Sequence, residues 1–168
     1  MKKNSAVAVL SALLMLGSVS PANAHATINM YGNSATAGGY GVMFIRVPHG
    51  CDGKATEQIS VIVPKEFQSV KAQWLSGWKT SKKLNSDGSM NLFWRGGPLP
   101  DDQFADFGIN VKFPSNVGTY YLKVSQKCGV DFVRWNQIPK SGEEIGDDFC
   151  SESTINHIKF ESNSKLKK

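Results

Sequence analysis

Hydrophobic and polar residues alternate over short stretches along most of the chain. In one of these stretches, Ile109 and Val111 alternate with Asn110 and Lys112. A period of two residues places successive side chains on opposite faces of a β-strand. Stretches of this kind, rich in β-branched and aromatic residues, predict strands over residues 26–30, 40–47, 59–63, 70–74, 90–94, 107–113, 119–125, 131–135 and 155–160.

Turn-forming residues separate the predicted strands, for example Gly38-Gly39, Asp87-Gly88 and Gly96-Gly97-Pro98. No window of a dozen residues keeps the period of a helix. Regularly spaced short strands in 168 residues predict a single all-β domain, an antiparallel β-sandwich. The large aromatic residues of such a domain usually lie in its core, and we expect this of the four tryptophans, Trp74, Trp78, Trp94 and Trp135.

The first 24 residues have the pattern of a secretory signal peptide. Lys2 and Lys3 precede an apolar stretch over residues 6–19, and Ala22-Asn23-Ala24 forms an A-x-A cleavage site. The apolar stretch is shorter than the roughly 20 residues that span a bilayer, so a membrane anchor is not expected. Cleavage between Ala24 and His25 would leave a periplasmic or secreted protein, with a sandwich domain over residues 25–160 and a polar tail over 161–168.

The net charge of +5 does not by itself indicate a basic surface. Five of the 19 Lys and Arg residues are terminal lysines, and the remaining 14 balance 14 acidic residues. We therefore expect no basic face on the domain and no nucleic-acid partner.

The cysteines also fit an exported protein, because disulfides persist outside the cytoplasm. The chain has three of them, Cys51, Cys128 and Cys150. One intramolecular disulfide with one thiol left over is expected, and the residues alone leave the pairing open. None of the spacings is C-x-x-C, which argues against a thioredoxin-type redox motif.

The most informative single residue is His25. Cleavage after Ala24 would give it a free α-amino group, and this nitrogen together with the ring Nδ1 can chelate one metal ion in the nitrogen-rich geometry that suits Cu(II). This arrangement, a histidine brace, is usually completed by a second histidine. His49 lies in a tight loop after a hydrophobic strand, whereas His157 shares a strand face with Lys159 and is expected at the surface. An amino-terminal histidine can also arise by chance, so a metal-free protein is the alternative.

Hydrolytic chemistry has little support in the chain. There is no G-x-S-x-G motif, no H-E-x-x-H motif and no glycine-rich phosphate loop. The acidic pairs at residues 101–102, 143–144 and 147–148 are typical of solvated turns. Catalysis by side chains alone is not expected.

A set of motifs follows in order from His25 to about Pro139. It comprises the amino-terminal His-Ala-Thr followed by Arg46-Val47-Pro48-His49-Gly50-Cys51-Asp52-Gly53, Thr56, Val61, Pro64, Ser76-Gly77-Trp78, Trp94-Arg95-Gly96, Leu99-Pro100-Asp101, Phe104, Asp106-Phe107-Gly108, Pro114, Gly118-Thr119-Tyr120-Tyr121, Gln126, Cys128 and Arg134-Trp135. Taken together, these motifs resemble those of the YcnI-like (DUF1775) copper-binding proteins.

The resemblance implies an immunoglobulin or fibronectin III-like sandwich that binds Cu(II) through a brace at His25, with Trp135 near the metal. Some relatives place a glutamate on an early strand as a further ligand, but no Asp or Glu occurs between His25 and Cys51. We expect His49 and Asp52 to take its place.

The resemblance also bears on the disulfide and on the function. Cys51 and Cys128 lie in the matched segments and Cys150 does not, so a Cys51–Cys128 disulfide is expected. The expected function is to sequester copper or hand it on to other copper-handling proteins, without enzymatic activity. The alternatives are a brace-type copper oxidase or monooxygenase, which needs a second histidine on the metal and a flat substrate surface, and a metal-free interaction module.

Overall fold

The computed structural model describes residues 26–33 and 35–136, together with the backbone of residues 156–160. This part of the chain contains only β-strands as regular elements, which confirms the all-β prediction. It contains no helix long and apolar enough to cross a membrane. The strands are β1 (Thr27–Asn29), β2 (Tyr40–Val47), β3 (Thr56–Val63), β4 (Gln68–Ala72), β5 (Trp78–Leu84), β6 (Met90–Leu99), β7 (Ala105–Lys112), β8 (Gly118–Cys128), β9 (Asp131–Trp135) and β10 (Asn156–Phe160).

The strands form two antiparallel sheets. One sheet has four strands in the order β1-β2-β7-β4. The other has six: five in the order β10-β8-β3-β6-β5, and β9, which also pairs with β8. Strand β10 pairs with the first half of β8 and β9 with the second half, so β9 and β10 follow one another along the same edge of β8.

The core fills the space between the two sheets. Every second residue of the central strands points inward and is fully buried, as in the run Ile59, Val61 and Val63 of β3. Across the core, the indole of Trp94 meets Phe107 edge to face, with ring centroids 5.5 Å apart. This arrangement confirms the predicted antiparallel β-sandwich.

The sequence prediction missed one strand and is wrong about one tryptophan. Strand β5 was not predicted, because most of its side chains are polar and exposed and give no hydrophobic alternation. It forms the edge of the six-stranded sheet, where lysines such as Lys82 discourage pairing with another chain. Trp74 is not a core residue: β4 ends at Ala72, and the Trp74 side chain beyond it is 78% exposed.

The expectation that the domain has no basic face is also wrong. The registers of the six-stranded sheet bring cationic residues of four strands to its outer side, which we call the cationic face. These residues are far apart in the sequence, so a balance of total charge does not reveal them. They are Lys79 and Lys83 of β5, Arg95 of β6, Lys123 and Lys127 of β8, and Arg134 of β9.

Candidate metal centre

Two of the predicted site residues, His49 and Asp52, lie at one end of the sandwich, which we call the His49 end. Strands β1 and β2 are antiparallel, with Thr27 opposite Arg46, so the start of β1 and the end of β2 reach the same end of their sheet. Ala26, which precedes Thr27, is only 3% exposed and belongs to the core. His25 itself lies outside the described residues.

His49 follows the end of β2 in a constrained loop and is half-buried. Its ring Nδ1 lies 2.6 Å from the carbonyl oxygen of Gly50. A carbonyl can only accept a hydrogen bond, so Nδ1 carries the proton and donates it. In the neutral ring this leaves Nε2 with a free lone pair, the form in which a histidine binds a metal ion.

A buried glutamine fixes the backbone of the same loop. Gln126 of β8 is 2% exposed, and its Nε2 donates to the carbonyl of His49 at 2.7 Å and to the hydroxyl of Thr56 at 2.6 Å. Sequence reasoning placed Gln126 and Thr56 among the motifs of the resemblance but gave them no role. Their contacts show that they position the His49 loop.

The loop is also covalently attached to β8. Cys51 and Cys128 form a disulfide with their Cα atoms 5.9 Å apart, and this is the expected pair. Gly50 packs so closely on Asp101 that an added Cβ would lie 2.7 Å from a carboxylate oxygen of that residue. The Gly50 amide also donates to the Asp101 carbonyl at 3.2 Å. The loop that carries His49 is therefore fixed to β8 by the disulfide and to Asp101 by the contacts of Gly50.

Asp52 lies at the exposed tip of the loop. It and Gly53 are the two central residues of a tight turn, closed by hydrogen bonds of 2.9 Å in both directions between Cys51 and Lys54. Both residues have positive φ, 48° and 80°, which this turn requires and which Asp and Gly tolerate. The conformation of the turn thus accounts for an aspartate at position 52. The role of Asp52 as a copper ligand stays a prediction.

Two ion pairs lie around this end. Lys54 contacts Asp131 beyond the end of β8, and this hydrogen bond and the negative charge raise the pKa of the lysine. Arg46 contacts both carboxylate oxygens of Asp106 at 2.9 Å. Burial raises the pKa of the Asp106 carboxyl, so the guanidinium is what favours its charged form. Asp131 and Asp106 can therefore bind a metal ion only by giving up their ion pairs with Lys54 and Arg46.

Trp135 lies at the end of β9 opposite Val124 of β8, and it is 3% exposed. Val124 and Gln126 are two residues apart on the same inward face of β8. Trp135 is consequently a diagonal neighbour of Gln126, for which Cα separations of about 7–8 Å are usual. Val124 also pairs with Val61 of β3, so Trp135 lies roughly 16 Å along the sheet from Thr56, and the structure does not bring it to the His49 end.

The described residues do not by themselves form a metal centre. No group of three or more His, Cys, Asp or Glu side chains is close enough together in this part of the chain to hold an ion. The main predicted ligand, His25, falls outside it. For His157 only the backbone is described, which pairs with Tyr121.

Comparison with known proteins agrees with this fold. A family model described as "Domain of unknown function (DUF1775)" matches residues 25–148. The chain is also similar to a crystal structure of an uncharacterized protein from Nocardia farcinica with an immunoglobulin-like fold. That similarity has a TM-score of 0.66 at 23% identity, and covers 82% of this chain and 99% of the other. None of the curated proteins compared with the chain matches it.

Proposed function

The chain belongs to the DUF1775 family, and from this premise we propose that it is an exported protein that binds Cu(II) at the His49 end and sequesters it or hands it on. In this proposal the signal peptide is removed after Ala24. The α-amine and Nδ1 of His25 then form a brace on the ion, and His49 supplies a further nitrogen.

The observation that carries the proposal is the burial of Ala26. A brace needs its two nitrogens at a fixed position, whereas the first residues of most domains are poorly ordered. Here the residue joined directly to His25 is packed in the core, next to a strand residue with a defined partner. The α-amine exposed by cleavage would therefore be attached to a fixed point of the sandwich.

The geometry of His49 supports the second nitrogen. Because β1 and β2 are antiparallel, the start of β1 and the end of β2 lie at the same end of their sheet. His49 lies two residues beyond Val47, and its Nδ1 contact with Gly50 leaves Nε2 available. A ligand whose other ring nitrogen is hydrogen-bonded to a carbonyl is the usual arrangement at protein metal sites.

The donor set also favours copper over other divalent ions. Two or three nitrogen ligands and few carboxylates suit Cu(II), whereas Ca²⁺ and Mg²⁺ require oxygen ligands. Such a centre binds copper tightly through its ligands and needs no further chemistry to store or transfer it.

Electron paramagnetic resonance of the mature protein with one equivalent of Cu(II) tests the proposal. We expect a tetragonal spectrum with nitrogen hyperfine structure, changed by His49→Gln and unchanged by the matched control His157→Gln. Oxygen uptake in the presence of a reductant, measured on the same sample, should stay at the level of the metal-free protein. A spectrum equal to that of copper in buffer would contradict copper binding, and rapid oxygen uptake would assign the protein to the brace-type oxidases.

A further inference from the structure

The cationic face contains a concavity that the proposed copper site does not use. It has a volume of about 790 Å³, within the range of small-molecule sites. Residues of four neighbouring strands and of the β5–β6 turn line it, among them Lys83, Asn91, Ile62, Lys123 and Tyr121.

Four of the lining residues form a straight row across the sheet. Lys83 pairs with Asn91, Asn91 with Ile62, and Ile62 with Lys123. Neighbouring strands are about 4.8 Å apart, so the two lysine Cα atoms are separated by roughly 14 Å. An amide and an aliphatic side chain lie between the two cations, and both lysines line the same concavity.

The charges of this row have no partners within the described part of the chain. The ion pairs found there are Arg46–Asp106, Lys54–Asp131 and Lys127–Glu57, and none includes Lys83 or Lys123. Neither lysine side chain forms a hydrogen bond there. The two cations therefore line the concavity without an ion-pair partner among the described residues.

One acid, Asp87, also lines the concavity, and its carboxylate is engaged within its own turn. Asp87, in the turn between β5 and β6, accepts hydrogen bonds from the backbone and the hydroxyl of Ser89 at 2.9 and 2.7 Å. These bonds, together with the charge of Lys65, lower the pKa of Asp87. The carboxylate thus forms its hydrogen bonds within its own turn.

The middle of the row contains an unsatisfied polar atom. The side-chain oxygen of Asn91 is buried and has no hydrogen-bond partner among the described residues. A buried acceptor without a donor costs about 1–3 kcal/mol, so such atoms point to a missing partner. A half-turn of the side-chain amide exchanges its oxygen and nitrogen, and a ligand seated between the lysines then supplies the donor.

We infer that this concavity binds a small soluble anion, whose carboxylate or phosphate group is held by Lys83 and Lys123 and whose hydroxyl donates to Asn91. The side chain of Ile62 provides an apolar floor for the part of the ligand between these groups. The site lies on the outer side of the sheet, near the end of β3 opposite Thr56, roughly 20 Å along the strand from the His49 end. It is therefore independent of the copper proposal.

The test is a titration of the metal-free, mature, ¹⁵N-labelled protein with sodium citrate and, separately, with inorganic phosphate at constant ionic strength. Both probes carry anionic oxygens and a hydroxyl group. We expect saturable amide shifts centred on Lys83, Asn91, Ile62 and Lys123 with at least one probe. Preference for citrate identifies a carboxylate ligand and preference for phosphate a phosphorylated one, while the absence of saturable shifts with both overturns the inference.

Variants distinguish anion binding at a specific site from general attraction of anions to a basic surface. The double variant Lys83→Gln, Lys123→Gln should weaken binding by about tenfold, as expected for charge-assisted hydrogen bonds. The matched double variant Lys71→Gln, Lys112→Gln removes the same charge from the other sheet and should change affinity by less than about twofold. Equal losses in the two double variants would overturn the inference.

Asn91 gives a second, independent measurement. Replacing it with leucine removes the unsatisfied oxygen, so Asn91→Leu should unfold at an unchanged or higher temperature while losing anion binding. Loss of stability with unchanged binding would contradict the role given to Asn91. Because no copper is present in any arm, failure here leaves the copper proposal unaffected, and failure of copper binding leaves this test unaffected.

Discussion

The two ends of strand β3 differ in whether their polar groups have hydrogen-bond or ion-pair partners. At the Thr56 end, the carbonyl of His49, the hydroxyl of Thr56 and the amide of Gln126 satisfy one another in the core, and a disulfide closes the loop beside them. At the Ile62 end, two lysines and a buried asparagine oxygen lack partners among the described residues. The comparison teaches that the first end is built for a fixed geometry, whereas the second leaves its polar groups available to a ligand.

The largest effect should come from opening the disulfide. Replacing Cys51 and Cys128 with alanine releases a loop of 77 residues, for which chain-entropy estimates give a loss of about 4 kcal/mol in the free energy of unfolding. Urea unfolding under non-reducing conditions measures this loss. Cys150→Ala is the matched control and should leave stability nearly unchanged. A loss below about 1 kcal/mol in the double variant would show that the His49 end does not depend on its cross-link.

The next largest effect concerns the close packing of Gly50 on Asp101. Gly50→Ala should lower the free energy of unfolding by about 2–3 kcal/mol, because the new Cβ has no room. Gly53→Ala in the same loop faces open space and should cost only about 1 kcal/mol, through its positive φ. Both values follow from chemical denaturation. Equal losses in the two variants would mean that the loop shifts to make room for the added Cβ at position 50.

A smaller loss is expected for the buried glutamine. Gln126→Met keeps the volume but leaves the carbonyl of His49 without its donor, at a cost of about 2 kcal/mol. The control Gln58→Met breaks an exposed hydrogen bond to Arg95 and should cost less than about 0.5 kcal/mol. If the two variants are equally stable by chemical denaturation, the network at the Thr56 end contributes little to stability.

The smallest effect is expected at the other end of β3. Removing the charges of Lys83 and Lys123 by substitution with glutamine should change the free energy of unfolding by less than about 0.5 kcal/mol, because neither side chain has a partner among the described residues. Thermal unfolding without added anions measures the change. A loss above about 1 kcal/mol would show that the two lysines stabilise the fold, and it would remove the contrast between the two ends of β3.

The fold could be predicted where one face of a strand is buried. Strands β2 and β9 begin and end at the predicted residues, because their alternation and the turns that flank them are unambiguous. Strand β5 could not be predicted, since an edge strand with two polar faces has no hydrophobic period. Trp74 shows the same limit: its residue type favours the core, but the strand before it ends two residues earlier.

Less of the candidate site could be predicted. The motifs indicated the His49 loop and Trp135, and the resemblance indicated the pair Cys51 and Cys128. The bond from Gln126 to the carbonyl of His49 joins residues 77 positions apart and uses a backbone atom, so no residue type reveals it. The cationic face was missed for a related reason, because its charges are brought together only by the register of four strands.

The central claim is that the α-amine of His25 is a copper ligand, and blocking this amine tests it most directly. The measurement is a competition titration with Cu(II) at neutral pH, comparing protein processed to His25 with protein that keeps one methionine before His25. We expect Cu(II) binding to be at least about tenfold weaker in the extended form, or about 1.4 kcal/mol, because the α-amine of His25 has become an amide. Equal affinity of two forms that are equally stable to urea would contradict it.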